Sequence, residues 1–186
     1  MRSCFLQPHP ASEAGCAETI QVTIARAPTV AAGDSAAYFA LTLTYVLRGD
    51  LAGILIPDVQ PAERADGLWR HTCFEAFVHS TDGNAYREFN FSPSGQWQAY
   101  AFDDYRRGGA PAPVAAPAIA CQREPDRLTL QASLKLALPP PGSRLRLGLS
   151  AVLENTAGAI GYWALQHAPG KADFHHPDTF ILDITP

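Results

Sequence analysis

Charge is scarce in this chain, and so are the residue patterns that mark the commonest enzyme sites. Only 17% of its 186 residues are charged, and a net charge of -4 gives no basic surface for nucleic acid or an anionic membrane. Methionine occurs once, as Met1. The cysteines, Cys4, Cys16, Cys73 and Cys121, form no CxxC, which removes zinc ribbons and thioredoxin-type redox pairs from consideration. Cys73 reads as a small buried thiol in an apolar strand. No apolar run approaches the ~20 residues that a bilayer span requires. No GxGxxG, GxxxxGK, GxSxG or HExxH occurs, so nucleotide, serine-hydrolase and metalloprotease readings lack their marks. The opening MRSCFLQPHPASEAG breaks any apolar stretch with proline, histidine and glutamate, so an unexported, cytoplasmic protein is expected.

Helical signals are also nearly absent. No segment sustains i, i+3, i+4, i+7 apolar spacing with recognisable caps. What the chain has instead is 47% hydrophobic residues, enough for a core, arranged in short strand-like runs divided by proline, glycine and aspartate. TIQVTI, AYFALTLTYVLRGD, GILIP, TCFEAFVHS, YREFNFS, WQAYAFDDY, AIACQRE, RLTLQASLKL, SRLRLGLSAVLE, GYWAL and TFILDI follow one another. About eleven strands in one domain's length predict an all-β antiparallel β-sandwich over residues 19–186. Residues 1–18 read as a loose N-terminal segment. Residues 106–118 read as a stiff Pro/Ala/Gly connector. Residues 167–178 read as a long loop of the kind that carries function.

Side chains alternate along a strand, which sorts each run into two faces. Phe74, Ala76 and Val78 form an inward set, leaving Glu75, Phe77 and His79 outward. Phe89 and Phe91 go inward, with Tyr86, Glu88 and Asn90 outward. Leu145, Leu147, Leu149, Ala151 and Leu153 go inward, with Ser150 and Glu154 outward. The face of Trp97 depends on the SPSG turn. A four-residue loop sets Trp97 outward and Tyr100 and Phe102 inward; one more residue flips the strand. The first arrangement is expected, since it buries two aromatics and leaves only Ala99 and Ala101 outside.

Acids, an amide and indoles on one sheet face suit sugar hydroxyls: the polar groups hydrogen-bond them and a flat ring covers the C–H side. A solvated polar face is the plain alternative. Glu75 and Glu88 as a glycosidase pair find no sign of a deep cleft in the sequence. His175 and His176 are adjacent and point opposite ways in extended chain, so one metal cannot easily take both. Loop capping near Asp173 or Asp178 is the expected role there.

LWRHTCFEAFV, YREFNFSPSGQWQAYAFDDYRRG and YWALQH…DFHHPDTFILDI resemble the bacterial DOMON-like proteins, which are similar in turn to family 9 carbohydrate-binding modules. The resemblance covers about residues 19–185. It implies a β-sandwich whose concave sheet binds a sugar or, in some DOMON relatives, a haem. Trp69, Glu75, Glu88, Asn90, Trp97 and Trp163 occupy the motif positions such a site would use, with Arg106 and His175 at further recurrent positions. The expectation is a non-catalytic protein that binds a saccharide or other small molecule, with no cofactor. The alternatives are a haem or cofactor carrier, and a module whose open sheet docks a protein. With Met1 as the sole methionine, a Met–His haem is not expected.

Overall fold

The structure is a computed structural model that describes residues 1–12, 15–27, 30–32 and 35–185. Among these residues the chain forms thirteen strands and three short 3-10 turns, and no helix is long and apolar enough to cross a membrane. One layer carries, in order across the sheet, β8 (Arg107–Pro111), β7 (Trp97–Asp104), β6 (Tyr86–Phe91), β5 (Cys73–Ser80), β11 (Leu145–Glu154) and β12 (Ile160–Ala164), with β13 (Leu182–Asp183) also on β11. The second carries β2 (Ala17–Arg26), β4 (Ser35–Gly49), β10 (Arg127–Ala137) and β9 (Ala118–Arg123), with β3 (Val30–Ala32) on β4. β1 (Arg2–Pro8) joins the layers: Arg2–Leu6 pairs with β2, while Gln7 and Pro8 pair with β12. Each of these strand pairs is antiparallel. The expected all-β sandwich is the observed fold.

The core lies between the layers and follows from the period-two alternation. β4 turns Phe39, Leu41, Leu43, Tyr45 and Leu47 inward, and β10 turns Leu128, Leu130, Leu134 and Leu136 to meet the same core. From the facing layer come the predicted sets Phe74, Ala76, Val78 and Phe89, Phe91, with Leu145, Leu147 and Leu149 of β11. Each such side chain contributes roughly 1.5–3 kcal/mol when fully buried. Tyr45 bridges the layers. Its ring lies 5.0 Å from that of Phe74, and its hydroxyl donates to the Glu75 carbonyl at 2.8 Å. The backbone of β5 is thus pinned from below at the residue whose side chain emerges above.

Four expectations need correction. Residues 2–8 form a strand and not a loose segment; only Leu6 of it is fully buried, so its apolar pattern is weak. Residues 107–111, inside the presumed connector, form an edge strand on β7, a place where Pro111 is tolerated because one side needs no donor. GILIP is no strand: Leu51–Gly53 is a 3-10 turn, and Ile54 makes only an isolated bridge to Asn155. The fourth concerns Trp97. Phe91 pairs with Trp97, and Asn90 with Gln98, so residues 92–96 form the longer loop, held by Ser92 N–H, which donates to the Gln96 carbonyl at 3.0 Å. Trp97 and Ala99 therefore enter the core, and Tyr100 and Phe102 take the outer face.

Candidate functional site

The outer face of the first layer is not open to solvent. Cross-strand register sets Ser150, Glu75, Asn90 and Gln98 in one row across β11, β5, β6 and β7. The next row holds Gly148, Phe77, Glu88 and Tyr100. Over these rows the segment following β12 folds back and brings in Phe174, His175 and Phe180. Phe77, Tyr86, Phe174 and Phe180 form a second, smaller apolar cluster there. Gly148 makes that cover fit: a Cβ at this position would lie 2.9 Å from the Phe180 ring and 3.2 Å from the Thr179 carbonyl. On the other side Asp66 accepts from Tyr100 Oη at 3.0 Å and Gln98 Nε2 at 2.9 Å, holding the segment that carries Trp69. Between these covers lies a pocket of about 450 Å³.

Glu75 and Glu88 both line the pocket, although they are only 2% and 5% exposed. One oxygen of each is engaged. Ser150 Oγ donates to Glu75 Oε2 at 3.0 Å, and Asn90 Nδ2 donates to Glu88 Oε1 at 2.7 Å. Asn90 is itself fully buried, with the Cys73 thiol 3.8 Å from its Oδ1; its bond to Glu88 orients that side chain. Burial pushes the Glu75 carboxyl well above the ordinary carboxylate range, and the neighbouring Glu88 charge adds to the rise, against the Ser150 hydrogen bond. Burial likewise raises Glu88, while Asn90 and Arg106 act against it.

A hydrogen-bond chain ties the covering loop to the sheet. Arg106 occupies the β7–β8 turn with φ of 51°, a left-handed conformation uncommon for a side-chain-bearing residue. Its N–H donates to Tyr86 Oη at 3.2 Å. Tyr86 Oη also hydrogen-bonds His175 Nδ1, 2.8 Å away, and the ring's other nitrogen is Nε2. That nitrogen is 3.6 Å from Glu88 Oε2. Burial and the Arg106 charge lower His175 to about 4, with Asp173 acting in the opposite sense, so the ring is neutral at pH 7. Arg106 Nη2 donates to Asp173 at 2.8 Å, and Asp173 also accepts from Tyr105 Oη at 2.6 Å and His175 N–H at 3.0 Å.

Of the predicted site residues, Trp69, Glu75, Glu88, Arg106 and His175 line this pocket, and Asn90, fully buried, does not line it but hydrogen-bonds Glu88. Trp97 and Trp163 do not reach it; both belong to the core between the layers. Trp97 follows the longer hairpin loop, and the Arg64 guanidinium caps its ring at 4.2 Å. Trp163 pairs with Ala151 on β11, an inward position, so its parity is fixed by that neighbour. Glu154 is drawn to His71, 2.7 Å away, and does not line the pocket. His176 is a loop cap: its Nδ1 accepts from Asp178 N–H at 3.3 Å. Among the described residues no cluster suited to a metal ion occurs. Sequence reasoning placed Tyr100 and Phe102 in the core and gave no role to Tyr162 or Phe174, all of which line the pocket.

No protein-family model matches the chain, and no curated protein matches it. Solved structures do. A protein from Bacteroides uniformis, provisionally described as carbohydrate-binding, superposes with a TM-score of 0.63 at 12% identity, over 97% of this chain and 84% of that one. A family 9 carbohydrate-binding module from Caldicellulosiruptor kristjanssonii, in complex with glucose, gives a TM-score of 0.46 at 10% identity over 82% and 69%. The first of these similarities establishes a shared fold.

Proposed function

We propose that this chain is a non-catalytic binding protein that takes a saccharide unit into the pocket above Glu75 and Glu88, as its motif resemblance to DOMON-like and family 9 binding proteins suggests. The observation that carries this reading is the convergence of two carboxyls with aromatic side chains in one covered pocket. Glu75 and Glu88 present acceptors, while Trp69, Tyr100 and Phe102 supply flat faces for the C–H side of a ring. The description of the Bacteroides uniformis protein agrees with it. A haem carrier is less favoured: among the described residues His175 is the histidine that lines the pocket, its Nδ1 is taken by Tyr86, and its Nε2 faces Glu88. A protein-docking sheet is disfavoured by Phe174 and Phe180, which cover this face.

A thermal-shift panel of mono- and disaccharides on wild type and on Glu88→Ala tests the reading, since a ligand stabilises by RT ln(1 + [L]/Kd). At least one sugar should raise the wild-type Tm and leave the variant unmoved. No shift at millimolar sugar, or equal shifts in both proteins, would contradict it.

A further inference from the structure

The pocket has more acceptors than its own donors fill. Glu75 Oε1 and Glu88 Oε2 have no hydrogen-bond partner among the described residues; the nearest donor recorded for the second is His175 Nε2 at 3.6 Å, beyond hydrogen-bond reach. The register makes the two glutamates diagonal neighbours on one face, since Glu75 opposes Asn90 and Glu88 lies two residues before it. Diagonal neighbours stand roughly 7–8 Å apart at the backbone, a span that one small group between the carboxyls can bridge.

The charge balance points the same way. Among the described residues Arg106 is the one basic side chain that lines the pocket and is charged at pH 7, and its guanidinium is already paired with Asp173 at 2.8 Å. His175, lowered to about 4, adds no positive charge. Two buried carboxyls therefore face a single cation, which acts on Glu88 and is already shared with Asp173, an arrangement that costs several kcal/mol per ion if both ionise. Burial raises the proton affinity of both, and the Glu88 charge adds to the rise at Glu75. Phe77, Tyr100 and Phe102 line the pocket around them, and an aromatic ring can attract a cation.

The geometry points to an amino sugar as the occupant: a saccharide unit whose protonated amine bridges Glu75 and Glu88 against the aromatic wall. This rests on the saccharide reading and narrows it. The ammonium supplies three donors to the two unfilled carboxyl oxygens and cancels the repulsion between the acids. Ring hydroxyls remain for His175 and the bound edges of the carboxylates, and the C–H face lies on the rings. An N-acetyl group removes the charge and offers a single donor in its place.

Calorimetric titration with glucosamine, glucose and N-acetylglucosamine at neutral pH and low salt tests this. Glucosamine should bind about tenfold or more tighter than either neutral sugar, the difference expected of charge-assisted and cation–π contacts. In Glu88→Gln, and separately in Glu75→Gln, the ratio of glucosamine to glucose affinity should fall to about one. Each variant's fold is checked first by its unfolding transition. Glucose or N-acetylglucosamine binding as tightly as glucosamine would overturn the amine inference and leave the saccharide reading standing. Failure of all three sugars would overturn the inference, and the wider sugar panel would then decide the saccharide reading by itself.

Discussion

Tyr86 Oη and His175 Nδ1 lie 2.8 Å apart, and this bond joins the sheet floor to the loop that roofs the pocket. Tyr86 is a hub: it accepts from Arg106 N–H, hydrogen-bonds His175, and stacks on Phe102 with ring centroids 4.7 Å apart. Tyr86→Phe keeps the stack and removes both hydrogen bonds. It should cost about 1–3 kcal/mol in denaturant unfolding, because Arg106 N–H and His175 lose a partner. Loss of the bond to His175 Nδ1 should also appear as a broadened or shifted imidazole signal by NMR.

Trp69 and Trp97 separate site from core. Trp97 is 5% exposed within the core cluster and Trp69 is 45% exposed on the pocket rim. Trp97→Ala should lower stability by about 3–5 kcal/mol. Trp69→Ala should stay within about 1 kcal/mol of wild type and still weaken sugar binding. Unfolding midpoints together with ligand titrations check both halves.

The strand faces at Glu75, Glu88 and Ser150 were legible from sequence, because period-two alternation in β5, β6 and β11 is unbroken. Trp97 was not, because its face depends on one residue of loop length that no side-chain pattern reports. Taking the shorter loop also buried Tyr100 and Phe102 on paper and so hid two pocket walls. Phe174 and Phe180 escaped for a different reason: they lie outside regular strands, where alternation says nothing about direction. The motif resemblance reached Arg106 and His175, yet their partnership with Tyr86 and Asp173 depends on a turn and a loop meeting in space. β1 was missed because an edge-like strand with one fully buried residue looks like any polar segment.

Gly148 is required by the roof. With Phe180 2.9 Å from the site of a Cβ, Gly148→Ala should cost about 1–3 kcal/mol through overpacking. The displaced Phe180 segment should also loosen His175, so affinity should fall alongside the Tm. Thermal melts with and without ligand would show the two effects together.

The pH dependence of stability carries two opposed contributions. Glu75 has a raised carboxyl in the fold, so its contribution is present below the ordinary value of 4.5 and is lost as pH rises through the higher folded value. His175 is lowered from 6.5 to about 4, so its contribution is full above 6.5 and is lost as pH falls toward 4. Glu75→Gln should therefore stabilise the protein at neutral pH more than at pH 4, leaving the His175 limb in place. Equal effects of the variant at both pH values would show that the carboxyl is not held up by burial.

The covered pocket over Glu75 and Glu88 is the proposed place of sugar binding. An NMR titration with the best saccharide of the panel, following the side-chain carboxyl carbons of glutamate and the imidazole of His175, tests it most directly. The account predicts saturable shifts at Glu75, Glu88 and His175, with Thr42 and Ser133 on the opposite layer unmoved. Shifts confined to that opposite layer, or none at Glu75 and Glu88 at saturation, would contradict it.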